Sequence, residues 1–485
     1  MPEQTTGRGH WGSRLGFVLA AAGSAIGLGN IWKFPYITGE NGGGWFVLIY
    51  LMCVAFVGLP IMMAEIFVGR TTQKSPVGAY RALSRPRSPW ILSGWLGVVT
   101  AFIILSYYSV VAGWAMHYTW LSLNGTVADL TAANTESTFV ELYTSPTLNL
   151  MWHMLFMGGT IAIVLGGVRG GLERWSRILM PLLFLIMLAM LLRATTMDGF
   201  GRALSFVFAP DATHLSAAGV LEALGHSFFT LSLGMGAMIT YGSYLRRDDD
   251  LVSTSVTVGV LDTVIALMAC MVLFPITFSY GMEPSKTVGL VFMNMPLAFS
   301  QMPGGAIWST VFFILLIFAA ITSAISLLEV AVSYFIDERG WSRAVATLVC
   351  GGAIALLGIP SALSGGTEMF GSTIAEATGP ITERLGKDPM TWFDLLDYIA
   401  SNWLLPLGGL LIAVFVSWRV AAAVREQGFK TGTRFQRLYA GWVLLLRYFI
   451  PIAVICVALY STGVFHALGL FGEPSTQGLP VEEGQ

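Results

Sequence analysis

The chain has 485 residues, 55% of them hydrophobic and only 11% charged, with a formal net charge of −2. A soluble domain carries about 25% charged residues. The charges present here cluster between long uncharged stretches, which excludes a soluble core and places the chain in a lipid bilayer.

Met1 to His10 is polar, and the first apolar stretch runs past signal-peptide length without an A-x-A cleavage pattern, so no targeting segment is expected. Eleven membrane spans are predicted, near 14–38, 44–69, 90–122, 149–167, 173–192, 222–245, 251–280, 304–336, 341–358, 392–418 and 436–464. Residues 90–123, 304–328 and 398–418 contain no Asp, Glu, Lys or Arg, and about 20 apolar residues suffice to cross the hydrocarbon core. Between spans three and four, Asn124-Gly125-Thr126 fits a glycosylation sequon. Phe471 to Gln485 is a short polar tail. With the N-terminus in the cytoplasm, the inner segments hold nineteen Lys and Arg and the outer ones five. Inner segments carry the basic excess, so the N-terminus is expected inside and, with an odd span count, the C-terminus outside.

Cys53, Cys270, Cys350 and Cys456 stand singly with no CxxC spacing and read as packing residues. His117, His153 and His226 are isolated and also read as packing residues. With no HExxH, GxSxG or clustered His/Asp/Glu set, no enzyme is expected.

Two spans are poor continuous helices. The first reads Ala22-Gly23-Ser24-Ala25-Ile26-Gly27-Leu28-Gly29-Asn30, and the sixth Phe228-Phe229-Thr230-Leu231-Ser232-Leu233-Gly234-Met235-Gly236. Glycine costs about 1 kcal/mol in a helix interior relative to alanine. Unwound backbone at membrane depth is tolerated only against protein or water, where freed carbonyls coordinate a cation and half-helix N-termini hold a carboxylate. Close helix packing through Gly23, Gly27 and Gly39 is the alternative. Interruptions at matching places in two halves point to a transporter of inverted repeats. The fold class is thus all-α integral membrane, with eleven transmembrane helices. A 5+5 inverted repeat (14–192 and 222–418) has discontinuous helices 1 and 6, plus one additional helix (436–464), all within a single transporter domain, 1–485.

Gly23 to Pro35 (GSAIGLGNIWKFP), Glu40-Asn41-Gly42-Gly43-Gly44, Phe228 to Gly234 and Ala319-Ala320-Ile321-Thr322-Ser323 together resemble the neurotransmitter:sodium symporters, of the bacterial eleven-span kind. The likeness covers about residues 8–465. It implies two sodium sites. One would take the carbonyls of Gly23, Ile26 and Ala319 with the hydroxyls of Thr322 and Ser323; neutral oxygens suit a singly charged ion that must leave again. The other would use the Ala25 carbonyl, the Asn30 side chain, Thr230 and Asp262. Between them, Ser24, Ala25, Gly29, Tyr108, Phe229, Thr230, Ser232, Met235, Ser323 and Leu327 match the substrate pocket. Tyr108 would bind the substrate carboxylate and Phe229 would form the lid. At Gly27, monoamine carriers of the family hold an Asp, whereas amino-acid carriers leave space.

The resemblance also implies gates. Lys33 and Asp397 match the outer pair, where the family more often has Arg; Lys lacks the bidentate geometry of Arg. Arg8 and Asp337 match the inner pair, with Trp11, Ser243 and Tyr244 nearby. Gly171 and Pro181, with nine residues between them, would let the cytoplasmic end of span five unwind; the alternative is an ordinary helix start with a proline kink. Asp262, an acid among apolar residues, is a functional candidate in its own right. Chloride-dependent animal relatives carry an uncharged Asn at the matching position. Asp262 places a fixed negative charge there, with Tyr50, His226 and Thr230 as expected neighbours. Chloride-independent transport is therefore expected, with the acid protonated once sodium leaves and a proton returned outward. The expected function is sodium-coupled uptake of a hydrophobic or aromatic L-amino acid by a carrier of the inner membrane, with no nucleic-acid partner. A sensor would need a signalling domain, which neither the short lead nor the tail can hold, and a channel would not need two occludable gates.

Overall fold

In hydrocarbon there is no water to bond a free N–H or C=O, so apolar spans fold as helices. A computed structural model of the chain describes residues 9–209, 217–282, 290–384 and 389–461, and no strand occurs among them. Arg8, one half of the expected inner pair, and the tail from Phe471 lie outside the described residues. The spans are α1 (Arg14–Ala25) and α2 (Gly29–Glu40), α3 (Gly44–Thr72), α4 (Ile91–Leu123), α5 (Pro146–Leu165) and α6 (Val168–Ala194). They continue with α7 (Ala217–Thr230), α8 (Ala237–Gly242), α9 (Leu251–Ser279), α10 (Gly305–Arg339), α11 (Arg343–Leu363), α12 (Trp392–Arg419) and α13 (Gln436–Leu459).

Among the described residues, nine of these helices are long and apolar enough to cross a membrane, and the pair α1–α2, bent by 50°, makes a tenth span. The sixth predicted span is divided between α7 and α8, neither of which crosses alone. Helices α4 and α10 pack along each other at the centre and are largely buried. By contrast α6 and α13 turn Leu185, Leu192, Leu444 and Ile452 outwards, the pattern of helices that face lipid.

Both interruptions are held by side-chain acceptors, local and distant, because the freed donors cannot go unpaired. At Ile26 the backbone turns extended (φ −72°, ψ 102°). The Gly27 N–H donates to Asn30 Oδ1 at 3.0 Å and the Leu28 N–H to the Tyr108 hydroxyl at 3.2 Å. Gly23 is not part of the break. It lies within α1, where an added Cβ would press on Met180 and Thr322 at 3.1 Å each, so this glycine serves close helix packing.

In the second break, Ser232, Gly234 and Gly236 take left-handed φ of 53°, 80° and 75°. A Cβ on Gly234 would collide with the Leu405 carbonyl. The Gly234 N–H donates to Glu65 Oε1 at 2.7 Å, and Glu65 is 1% exposed. Truncating Glu65 to Ala orphans this buried donor, which costs about 1–3 kcal/mol. The expected result is a lowered thermal midpoint in detergent for Glu65→Ala, with most of the loss recovered in Glu65→Gln, which keeps an acceptor. Equal midpoints for Glu65→Ala and the parent would refute the role.

Candidate functional site

The two breaks meet at the centre of the bundle. The Ser232 hydroxyl donates to the Ser24 carbonyl at 2.7 Å, and the Ser24 hydroxyl to Ser326 Oγ at 2.8 Å, so α1, the α7–α8 break and α10 are tied at one level. Around this junction lies a cavity lined by all ten residues matched to a substrate pocket, together with Gly27 and Ile104. Its polar surface is the break backbone, four hydroxyl side chains and Tyr108; its apolar surface is Ile104, Phe229, Met235 and Leu327. No Asp, Glu, Lys, Arg or His lines it.

Gly27 is fixed by space: a Cβ there would stand 2.6 Å from Ser323 Oγ and 3.0 Å from the Tyr108 hydroxyl. Ile104, on the same face of α4 as Tyr108 one turn on, was not among the expected lining residues; its i, i+4 spacing from Tyr108 was the available signal.

Two oxygen-rich clusters flank the cavity. In one, the Ser323 hydroxyl reaches the carbonyls of Gly23 (3.4 Å) and Ser24 (3.2 Å), and the Thr322 hydroxyl those of Ala319 (3.0 Å) and Phe318 (3.1 Å). In the other, Asn30 Nδ2 donates to Thr230 Oγ1 (2.9 Å), to the Asp262 carbonyl (3.2 Å) and to Asp262 Oδ1 (2.8 Å). The Thr230 hydroxyl lies 3.1 Å from both Asp262 oxygens, and the Tyr50 hydroxyl donates to Oδ2 at 3.3 Å. Asp262 is wholly buried. A hard cation wants such oxygens, and an isolated buried carboxylate is costly without a cation or proton.

His226 departs from one expectation held for it. It stacks on Phe34 at 5.6 Å between ring centroids and lies tilted against Tyr50 at 5.7 Å, and Tyr50 in turn bonds Asp262. Both ring nitrogens are buried without a hydrogen-bond partner, so it is not a satisfied packing residue. His153 is one: it bonds Ser109 Oγ and the Ala355 carbonyl, each at 2.9 Å. His117 accepts from Trp152 Nε1 at 3.0 Å.

On the outer side, Lys33 Nζ stands 3.8 Å from Asp397 Oδ2 and 5.1 Å above the centre of the Phe229 ring. With the two side chains 18% and 36% exposed, this is a loose, solvated pair of small energetic weight. On the inner side, Trp11 Nε1 donates to the Tyr241 carbonyl at 3.1 Å, and the indole packs edge-on against Phe17, Tyr241 and Tyr244. The Ser243 hydroxyl turns back to the Thr240 carbonyl, and Asp337 accepts the Ser75 N–H at 2.7 Å.

Two inner features were missed from the sequence. The Tyr244 hydroxyl donates to Glu329, wholly buried, which Arg343 clasps at 2.6 Å. Glu329 is the one charge between residues 305 and 336, the same signal that marked Asp262. Secondly, Glu173 Oε2 accepts the Gly12 N–H at 2.7 Å, and its carboxylate fills the space that a Cβ on Gly16 would need. Arg177 holds the other oxygen at 2.5 Å. Glu173 ends the π-helical turn Val168–Glu173, with Gly171 in it and Pro181 further along α6.

Comparison with known proteins agrees with this arrangement. A model of the sodium:neurotransmitter symporter family matches residues 8–142 and 140–377. An uncharacterised sodium-dependent transporter of Bacillus subtilis is 35% identical over 462 residues, 94% of this chain and 98% of the relative. One from Methanocaldococcus jannaschii is 33% identical, over 85% of this chain and 82% of the relative. The crystal structure of MhsT in complex with L-phenylalanine superposes with a TM-score of 0.83 at 42% identity, covering 94% of this chain and all of MhsT. With these matches and the broken helices, the chain belongs to the sodium:neurotransmitter symporter family, as a multi-pass, sodium-dependent membrane transporter and not an enzyme.

Proposed function

We propose that this transporter takes up a hydrophobic or aromatic L-amino acid with two sodium ions, without chloride, and returns a proton outward. The observation that carries the reading is the cavity at the junction of the two breaks, lined in part by apolar side chains and free of charged ones. Phe229, Met235 and Leu327 would take the substrate side chain, and flexible Met235 adapts to several shapes. The Leu28 N–H and Tyr108 hydroxyl would meet the carboxylate. L-Phenylalanine bound to MhsT supports this substrate class.

Sodium would sit in the two flanking clusters: Gly23, Ile26, Ala319, Thr322 and Ser323 on one side, Ala25, Asn30, Thr230 and Asp262 on the other. Lys33–Asp397 above and the Trp11, Ser243, Tyr244 and Asp337 region below would close alternately. The chain would form one domain of two inverted repeats in the inner membrane, N-terminus in the cytoplasm and C-terminus outside, as its Lys and Arg distribution supports.

Proteoliposome uptake of all amino acids under a sodium gradient tests the substrate. Preferential uptake of glutamate, lysine or a decarboxylated amine would overturn it. Asp262 tests the ion coupling. Replacing chloride by gluconate should leave uptake intact. Asp262→Asn should slow net uptake about tenfold, the size of one buried charge-assisted bond, and make it respond to chloride. Strict chloride dependence of the unaltered protein would sink the proposal.

A further inference from the structure

Arg447 is the one charged residue between Leu438 and Ser461, the stretch that forms α13. An ionisable side chain inside a span is there for a reason that its partners reveal. Arg447 Nη2 donates to the Ser417 carbonyl at 2.8 Å, and its guanidinium lies 4.9 Å from the centre of the Trp418 ring. Trp418 meets Tyr448 edge-on at 6.0 Å.

A second guanidinium is already there. Arg425 Nη1 donates to the carbonyls of Val416 (3.0 Å) and Ser417 (2.7 Å), and its Nε to the Tyr439 hydroxyl at 3.1 Å. Arg425 is 6% exposed. It caps the carbonyls at the end of α12 and meets the negative pole of the helix dipole. Arg447 therefore satisfies no carbonyl that lacked a donor. It brings a second positive charge to the same oxygen.

Nothing among the described residues balances the pair. Neither arginine forms an ion pair with a carboxylate there, and Glu426, beside Arg425 in sequence, is held by Lys430 at 2.5 Å. Of the five N–H donors on a guanidinium, Arg447 directs one to a protein acceptor, and its Nε is buried with no acceptor at all. Two like charges and an orphaned donor are the inverse image of an anion.

The surroundings state which kind. Trp418, Tyr448, Phe449 and Leu444 beside the pair are 56%, 53%, 47% and 58% exposed, and Arg419 next to Trp418 is exposed as well. Trp418 and Arg419 lie in one π-helical turn, Phe415–Arg419, and Arg447, Tyr448 and Phe449 in another, Leu445–Phe449; such widened turns gather at functional sites. A polar anion alone would leave these apolar faces uncovered, whereas an amphiphile covers them with its chains. Basic pockets between spans at the inner surface bind lipid headgroups in this way.

We propose that the end of α12, with Arg425 beyond it, and the middle of α13 form a binding site for an anionic phospholipid. Its phosphate sits between Arg425 and Arg447, and its acyl chains lie along Trp418, Leu444 and Phe449. The Arg447 Nη donors not used by Ser417 then gain oxygen acceptors, and the shared positive charge is neutralised.

The test uses the full-length transporter, delipidated in detergent and titrated with phosphatidylglycerol or phosphatidylcholine under native mass spectrometry. One phosphatidylglycerol should be retained about tenfold more tightly than phosphatidylcholine, the effect of charge-assisted hydrogen bonds. Arg447→Gln should abolish the preference. Arg447→Lys, which keeps the charge but not the forked geometry, should retain part of it. Arg174→Gln, removing an exposed charge on α6, should leave it whole. Equal retention of both lipids by the parent, or an unchanged preference in Arg447→Gln, overturns the proposal. So does inorganic phosphate that displaces phosphatidylglycerol at equal concentration, since the site would then take a free anion. Should Arg447→Gln fail to fold, the parent's lipid preference and the Arg447→Lys result decide the matter.

Discussion

Thr322→Ala and Ser323→Ala should each raise the sodium concentration needed for half-maximal uptake by tenfold or more, about 1.4 kcal/mol. Both hydroxyls stand among carbonyls of two helices, Ser323 against Gly23 and Ser24, and Thr322 against Ala319 and Phe318. A neutral hydroxyl on that scale contributes to an ion mainly by completing its oxygen shell. Thr322→Ser and Ser323→Thr keep the oxygen and should stay within about threefold of the parent. Sodium dependence of uptake in proteoliposomes provides the measurement. If both alanine variants keep the parent's sodium affinity, the ion does not sit there.

Gly27→Asp should cost more than a hundredfold in uptake, although the chain still folds. An added Cβ already presses on Ser323 Oγ and the Tyr108 hydroxyl, and the carboxylate beyond it would be buried with no cationic side chain in the cavity. Burying such a charge unpaired is prohibitive. Gly27→Ala should give a graded loss, because the Ser323 hydroxyl can turn aside. Thermal midpoints of the two variants separate loss of function from loss of fold. Uptake by Gly27→Asp within tenfold of the parent would show that the cavity is not the substrate path.

The spans were legible because a charge-free run of twenty or more residues has one cheap solution in lipid. Nine of the ten expected pocket residues lie at the glycine-rich breaks or near the Thr322-Ser323 motif, with Tyr108 apart on α4, and the family resemblance is what pointed to them as one cavity. What stayed hidden depends on partners distant in the chain. Gly23 and Gly27 look alike in sequence. One faces Thr322 and Met180 inside a helix; the other sits in the break beneath Tyr108. Glu65 and Glu329 obey the rule that singled out Asp262, yet only the folded bundle shows which donor each receives. His226 packs against rings from α2 and α3, an environment with no local signature.

The carboxylate of Glu173 occupies space that side chains at Gly12 and Gly16 would take, across 161 residues of sequence. The three positions therefore cannot vary independently during descent. A lineage that acquires a side chain at position 16 must first shorten or lose the acid at 173. The reverse change opens a void that a larger residue at 16 can fill. Homologous sequences should hold the small pair with the acid, or neither, and Gly16→Ala should be harmful alone but tolerated beside Glu173→Ala.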